Sequence, residues 1–461
     1  MGVLSIGDFI LTPLYLIIVF LFARSTVSRK IDNEPYYKYF IPGLFVKIFG
    51  GIGVCLIYLF YYGGGDTVSY FTDGRTLVDL LMYNPKAFIG ALQLRTLTYL
   101  QWTNLDPTFG YPIVYGHDHH AWYVIRCTWP FILLSFKSFI PATILLNAIT
   151  FIPVWWLYKV FISEFPRLQK EFAIAVFFIP SVAFWGSGLL KDNITFAAVC
   201  LYTHGLHSMF VKREKYLVHL TQMFISYLLL TAIKPYIFFA LLPGSLLWLS
   251  GILLSGFENK LIRTVTGPIL VAVAAGTGYF ALSLMGNNLG DFNLDTVFEK
   301  AVATQQDLKQ DYYGGSSFDI GEFDATAGSM LSKAHLAIIA ALFRPFLWET
   351  RNPVMLISAL ENFTLMMFSI YLLIKLRVIY LFRLLLRHHM LLFSFVFSIF
   401  FSFGVGLSTS NFGSLVRYKI PAMPFFVASL IIAREILYKT KAQIEADKES
   451  GFDSMVPEMI R

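Results

Sequence analysis

Three glycines followed by an acid open the first stretch of this chain with chemical potential: Gly63-Gly64-Gly65-Asp66-Thr67-Val68-Ser69-Tyr70-Phe71-Thr72-Asp73. The glycines allow a sharp backbone turn. A helix beginning at Asp66 would carry Tyr70 at i+4 and Asp73 at i+7, so that two carboxylates and a phenol share one face. Such a carboxylate can accept a proton from an incoming hydroxyl, hold a divalent cation such as Mg2+ or Mn2+, or simply cap its helix. A second stretch, Pro180 to Asn193, contains Trp185, Gly186, Gly188 and the run Lys191-Asp192-Asn193. It reads as a turn between two apolar segments, with Trp185 at the membrane interface and Asp192 or Asn193 as a cap. Lys191 then either snorkels to the headgroups or contacts a lipid phosphate.

Further cations sit at the ends of apolar segments: Lys234, Arg344, Arg351, Arg417 and Lys419. With Lys191 they ring one end of the expected bundle, and a guanidinium matches phosphate oxygens bidentately. Each singly is also an ordinary headgroup contact. The run His117-Asp118-His119-His120 has no zinc-ligand spacing. Acceptor binding or plain loop chemistry is expected of His117, Asp118 and His119, and if a metal is held, Asp66 or His119 would hold it. The acidic loop 287 to 327 contains Tyr312-Tyr313-Gly314-Gly315. Carboxylates and tyrosines bind sugars by hydrogen bonding and ring stacking, and a solvated loop has the same composition. Glu361 lies inside an apolar segment, where an acid normally faces the bundle interior.

The elements that must position these residues are membrane helices. Of 461 residues 56% are hydrophobic and 14% charged, against about 25% charged in soluble domains, which excludes a soluble globule. The apolar runs have the lengths, roughly 17 to 25 residues, that a hydrocarbon core of about 30 Å requires. Eleven spans are predicted, at 8–23, 41–62, 139–162, 172–186, 194–210, 217–233, 236–256, 265–285, 353–374, 390–407 and 418–437. Connections after every second crossing are short and basic, which places them inside and the N-terminus outside. The stretch 122–138 contains Arg126, Pro130 and Lys137. As a twelfth span it would invert every later loop, so it is laid along the interface with Trp122 and Trp129 in the headgroup layer.

Two long connections, 63–121 and 286–352, fall outside and are expected to carry the function, with amphipathic helices over 66–84 and 329–343. Residues 1–437 form a single transmembrane domain and 438–461 a disordered cytoplasmic tail. The net charge of +7 is explained by topology rather than by nucleic acid, and the three cysteines have no disulfide or zinc spacing.

The motif Gly65-Asp66-Thr67-Val68-Ser69-Tyr70, the Pro180 to Asn193 turn and the late Arg417-Tyr418 with Pro421 and Pro424 resemble those of the GT-C class of integral-membrane glycosyltransferases. The resemblance implies an all-α polytopic bundle and an inverting transfer from a polyprenyl-phosphate-linked sugar to a glycan, lipid or protein acceptor. It places the active site on the periplasmic face of a bacterial inner membrane. In that reading Asp66 activates or positions the acceptor beside Tyr70 and Asp73, Lys191, Lys234, Arg344 and Arg417 steady the lipid phosphate, and no cofactor is required. The chain departs from the family in placing its acidic motif after the second span instead of the first. An O-antigen-type polymerase or ligase, and a lipid or glycan transporter, are the competing expectations.

Overall fold

The computed structural model describes residues 2–110, 113–254, 297–308, 317–376, 384–385 and 388–449; among them the chain is helical, with one isolated bridge, Ser317 to Asn411. In chain order the helices are α1 (Ile6–Ser28), α2 (Phe40–Leu56), α3 (Asp66–Tyr83), α4 (Pro85–Gln93), α5 (Tyr99–Leu105), α6 (His119–Leu134), α7 (Phe139–Glu164), α8 (Gln169–Phe177), α9 (Pro180–Trp185) and α10 (Lys191–His207). There follow α11 (Tyr216–Ile233), α12 (Pro235–Leu254), α13 (Val297–Leu308), α14 (Ala327–Ser332), α15 (Ala334–Phe343), α16 (Pro353–Leu376), α17 (His389–Ser408), α18 (Phe412–Tyr418) and α19 (Met423–Glu449). Among the described residues eight helices are long and apolar enough to cross a membrane: α1, α2 with its flanking turns, α7, α10, α11, α12, α16 and α17. The chain is an integral membrane protein.

Exposed apolar side chains show which helices face lipid. On α1 the residues Ile6, Phe9, Ile10, Leu21 and Phe22 point outward, while Asp8 is buried. Asp8 accepts from the Ser5 and Ile140 amides, each at 2.8 Å, which pins the start of α1 to the start of α7. A buried acid with two backbone donors keeps its charge solvated without water.

The structure corrects several of the expected elements. The span expected at 172–186 is two short helices, α8 and α9, broken at Phe178-Ile179. Pro180 has no N–H to continue the helix and holds Ile179 in extended backbone (φ −68°, ψ 121°). Glu361, which sequence left without a role, caps the new start: its carboxylate accepts from the Ser181 amide at 2.7 Å and hydroxyl at 2.6 Å. The last span begins earlier than 418, as α18 and α19 meeting at 67°, because Pro421 and Pro424 fall at the junction. The helix over 329–343 is split at Lys333 into α14 and α15, since the Lys333 amide closes back on Met330 O (3.1 Å). Trp122 is fully buried and donates to Leu94 O, so it anchors the 94–97 chain instead of lying among headgroups. The segment 438–461 is helical to Glu449, in keeping with its Lys, Glu, Ala and Gln content. The expected span 265–285 lies outside the described residues.

The turn after α9 is built inside the bundle. Lys47, mid-way along α2, donates to Gly186 O (2.7 Å) and Asn193 Oδ1 (2.8 Å). Asn147 on α7 donates to Ser187 O (2.7 Å), and Asn193 donates to Gly188 O and Asn147 Oδ1 (3.0 Å each). Three buried side chains thus satisfy the carbonyls of a non-helical segment, which lipid-depth backbone demands. Gly51 makes the close approach possible, for a Cβ there would lie 2.1 Å from Asn147 Nδ2 and 2.4 Å from Ser187 O. Gly51→Ala should therefore cost about 1–3 kcal/mol by overpacking. Gly404→Ala, where a Cβ meets nothing within 4 Å, should be neutral or stabilising. Apparent melting temperatures in detergent check this contrast, and equal temperatures for the two variants would contradict it.

Candidate functional site

One end of the bundle gathers the charges. The π-helical turn that continues α2 covers Ile57–Tyr61, and Gly63, Gly64 and Gly65 all have positive φ (70°, 143° and 117°). Only glycine adopts such a run without strain, and it reverses the chain so that Asp66 begins α3. Asp66 is not a cap: Gly65 occupies that position. Its Oδ2 instead accepts from Arg417 NH2 (2.9 Å) and its Oδ1 from the Tyr115 hydroxyl (3.0 Å).

The face of α3 predicted from spacing exists, but its members have different tasks. Tyr70 is buried against the Tyr115 ring, centroids 5.2 Å apart. Asp73 is fully buried and accepts from the Val114 amide (3.0 Å) and the Tyr115 amide (2.8 Å). Asp73 thus holds the 113–115 backbone that delivers Tyr115 to Asp66. Burial raises the Asp73 carboxyl, and those two amides oppose the rise.

Arg417 is the centre of the cluster. Its NH1 donates to the Tyr58 hydroxyl (2.9 Å), its NH2 to Asp66 and its Nε to Asp192 Oδ2 (3.3 Å). Asp192 has no exposed surface, and its other oxygen accepts from Lys234 Nζ at 2.5 Å. Lys234 also lies over the Tyr418 ring, 4.5 Å from its centroid. Beside this chain of charges Lys191 Nζ pairs with Asp118 Oδ2 (3.1 Å). Arg417 is aimed by α18, whose first turn is capped by Asn411 Oδ1 accepting from the Gly413 and Ser414 amides. Just beyond, buried Lys419 donates to Asn362 Oδ1 (2.5 Å), and Asn362 donates to Arg344 O (2.7 Å). Seven residues of helix and two flanking clamps therefore fix where the guanidinium points.

Of the residues predicted from sequence, Asp66, Tyr70, Asp73, Asp118, Lys191, Lys234 and Arg417 come together. Arg344 does not join them: it is paired with Glu349 and lies over the Phe318 ring at 4.6 Å. His117 is exposed, and the His119 ring stands against His120 at 5.0 Å. Burial, reinforced by the charges of His120 and nearby arginines, lowers His119 to about 4. Tyr312 and Tyr313 lie outside the described residues. No group of three or more His, Cys, Asp or Glu side chains among the described residues is placed to hold a metal ion. The spacing of the sequence missed Asp192 as a counter-ion, and it gave no sign of Tyr58 and Tyr115. A signal for Asp192 did exist, since two cations expected near lipid, Lys234 and Arg417, require acids within reach.

Three carboxylates (Asp66, Asp118 and Asp192) and three cations (Lys191, Lys234 and Arg417) make a charge-balanced set. Burial by itself would raise Asp66, but the Arg417 charge and hydrogen bond, the Tyr115 hydroxyl and Lys191 outweigh it and hold the carboxyl below its usual range. Asp118 is likewise held down by Lys191 against its own burial. Chemically, the site offers an ionised carboxylate at the bundle end, joined to a guanidinium that has a second carboxylate behind it.

No known protein family matches the chain, and neither a curated protein nor a solved structure matches it.

Because the folded Asp66 titrates below its unfolded value of about 4, its stabilising contribution is complete above that pH. It is lost as the pH falls through the lower folded value. Thermal stability measured in detergent from pH 7 to 2.5 should show Asp66→Asn weaker than wild type at neutral pH and converging with it in acid. Parallel curves would contradict the ion pair.

Proposed function

We propose that the protein is a membrane glycosyltransferase that moves a sugar from a polyprenyl-phosphate-linked donor to a hydroxyl acceptor at the outer face of a bacterial inner membrane. The observation that carries this is the direct contact of Asp66 with Arg417, a candidate base and a candidate phosphate ligand on one hydrogen bond. In the transfer, the acceptor O–H gives its proton to the Asp66 carboxylate as the oxygen attacks the anomeric carbon from the face opposite the phosphate. The bond from that carbon to the phosphate oxygen breaks, the electron pair leaves on the lipid phosphate, and configuration inverts. The departing phosphate gains negative charge, which a preoriented guanidinium stabilises most in a site that excludes water.

Charge balance dictates an order of events. Arg417 already serves two carboxylates, so in this reading an incoming phosphate competes with them for the guanidinium. Asp66 is the displaceable partner, being half-buried, whereas Asp192 is fully buried and also held by Lys234. Losing Arg417 raises the basicity of Asp66 at the moment a base is needed, which addresses the weakness of a low-pKa carboxylate as a general base. Tyr115 keeps the released carboxylate oriented.

Transfer of radiolabelled sugar from a polyprenyl-phosphate-sugar pool in proteoliposomes tests this. Asp66→Asn should lower the rate by about 10²–10⁴-fold, the usual contribution of general acid–base catalysis, while the protein remains folded. A variant that transfers as fast as wild type would remove Asp66 from the chemistry. Labelled lipid crossing the bilayer without any transfer would replace the enzyme reading by a transporter.

A further inference from the structure

A cavity of about 190 Å³ adjoins the charged cluster through Val416 and Tyr62; neither Asp66 nor Arg417 lines it, and it takes no part in the charge network. Its aromatic wall is Tyr61, Tyr62, Trp185 and Phe412, and its polar side chains are Asn352, Ser358 and Asn411. It adjoins the site on two sides. Val416, next to Arg417, lines it, and the Tyr62 ring stands 5.4 Å from Tyr58, the hydroxyl partner of Arg417. The three glycines that follow Tyr62 lead directly to Asp66.

The lining decides what fits. None of its side chains is charged, so a phosphate or a carboxylate would gain nothing there, although both are served a few residues away. The volume is well above the roughly 10–15 Å³ that one water needs and leaves room for a ligand of the size of one six-membered ring. Aromatic faces carry negative quadrupole charge that attracts the C–H groups of a pyranose. A few fixed amides and hydroxyls around an apolar wall are the usual way a pocket orients a polar ligand. Tyrosines at a bundle end also serve as headgroup anchors, and Tyr61 and Tyr62 are 61% and 51% exposed. Trp185 is only 7% exposed and edge-on to Tyr58 at 6.4 Å, packed into the bundle instead of projecting from it.

We infer that this cavity is a subsite for an uncharged pyranose ring, adjoining the charged cluster through Val416 and the Tyr62–Tyr58 contact. The inference rests on the transferase reading and names the class of sugar that the site receives. Ser358 sits on the cavity wall from α16, so Ser358→Trp fills the space. Tyr61→Ala/Tyr62→Ala strips the platform at exposed positions.

The test is saturation-transfer NMR on the full chain in detergent, using the methyl glycosides of glucose, galactose, rhamnose and N-acetylglucosamine and, for contrast, of glucuronic acid. At least one neutral glycoside should receive saturation at its ring protons, falling fivefold or more in Ser358→Trp and in Tyr61→Ala/Tyr62→Ala while both variants keep the wild-type melting temperature within a few degrees. Absence of saturation in every neutral glycoside, equal saturation in wild type and both cavity variants, or a preference for the glucuronide would overturn the subsite. The two readings fail separately. Loss of transfer in Asp66→Asn with no glycoside binding rejects the subsite alone, and cavity-dependent glycoside binding with full transfer in Asp66→Asn rejects the role of Asp66 alone.

Discussion

A guanidinium largely withdrawn from water needs acceptors around it, and Arg417 finds three: Asp66, Asp192 and the Tyr58 hydroxyl. Much of the surrounding architecture serves that requirement. Tyr58 comes from the π-helical turn after α2, Asp66 from the helix beyond the triple-glycine reversal, and Asp192 from the first turn of α10. Asp192 reaches its place because the preceding turn is clamped by Lys47, Asn147 and Asn193 within the bundle. Removing one member of a buried ion pair leaves the other uncompensated, at a cost of about 3–5 kcal/mol. The same interaction that fixes three separate parts of the chain therefore also fixes the resting state of the site.

This arrangement is a device for holding charge in reserve. A balanced set of acids and cations can sit at the edge of a low-dielectric bundle without a ligand, whereas an excess of cations would demand one permanently. The set is not uniform. Asp192 is locked by two cations, while Asp66 keeps part of its surface open to an incoming molecule. The cavity lined by Val416 and Tyr62 is uncharged, so in the proposed reading phosphate and sugar ring would meet neighbouring but chemically distinct surfaces.

How much of this was legible in the chain varies with the physics of each element. Run length and hydropathy are local properties, so the membrane helices, α3 with its Asp66, Tyr70 and Asp73 face, and the end of that helix at Asn84-Pro85 could be read directly. The break in the 172–186 run was signalled by Pro180 but hidden by continuous hydrophobicity, and its cap, Glu361, lies 180 residues away. Trp122 and Trp185 have the side chain of an interfacial anchor, and only packing shows them to be core. The roles of Asp192, Tyr58 and Tyr115 depend on pairings across 225, 359 and 49 residues, which no local pattern encodes. Sequence read Lys191, Lys234 and Arg417 as cations awaiting an anion, and the anions turned out to be the protein's own carboxylates.

The central claim is that a lipid phosphate and Asp66 compete for Arg417. The most direct measurement is the affinity of polyprenyl phosphate for the detergent-solubilised protein, by native mass spectrometry, in wild type, Asp66→Asn, Arg417→Met and the double variant. Competition predicts several-fold tighter binding in Asp66→Asn, weaker binding in Arg417→Met, and no effect of Asp66→Asn once Arg417 is gone. Binding that is unchanged or weakened by Asp66→Asn, or a gain that persists without Arg417, would contradict the account.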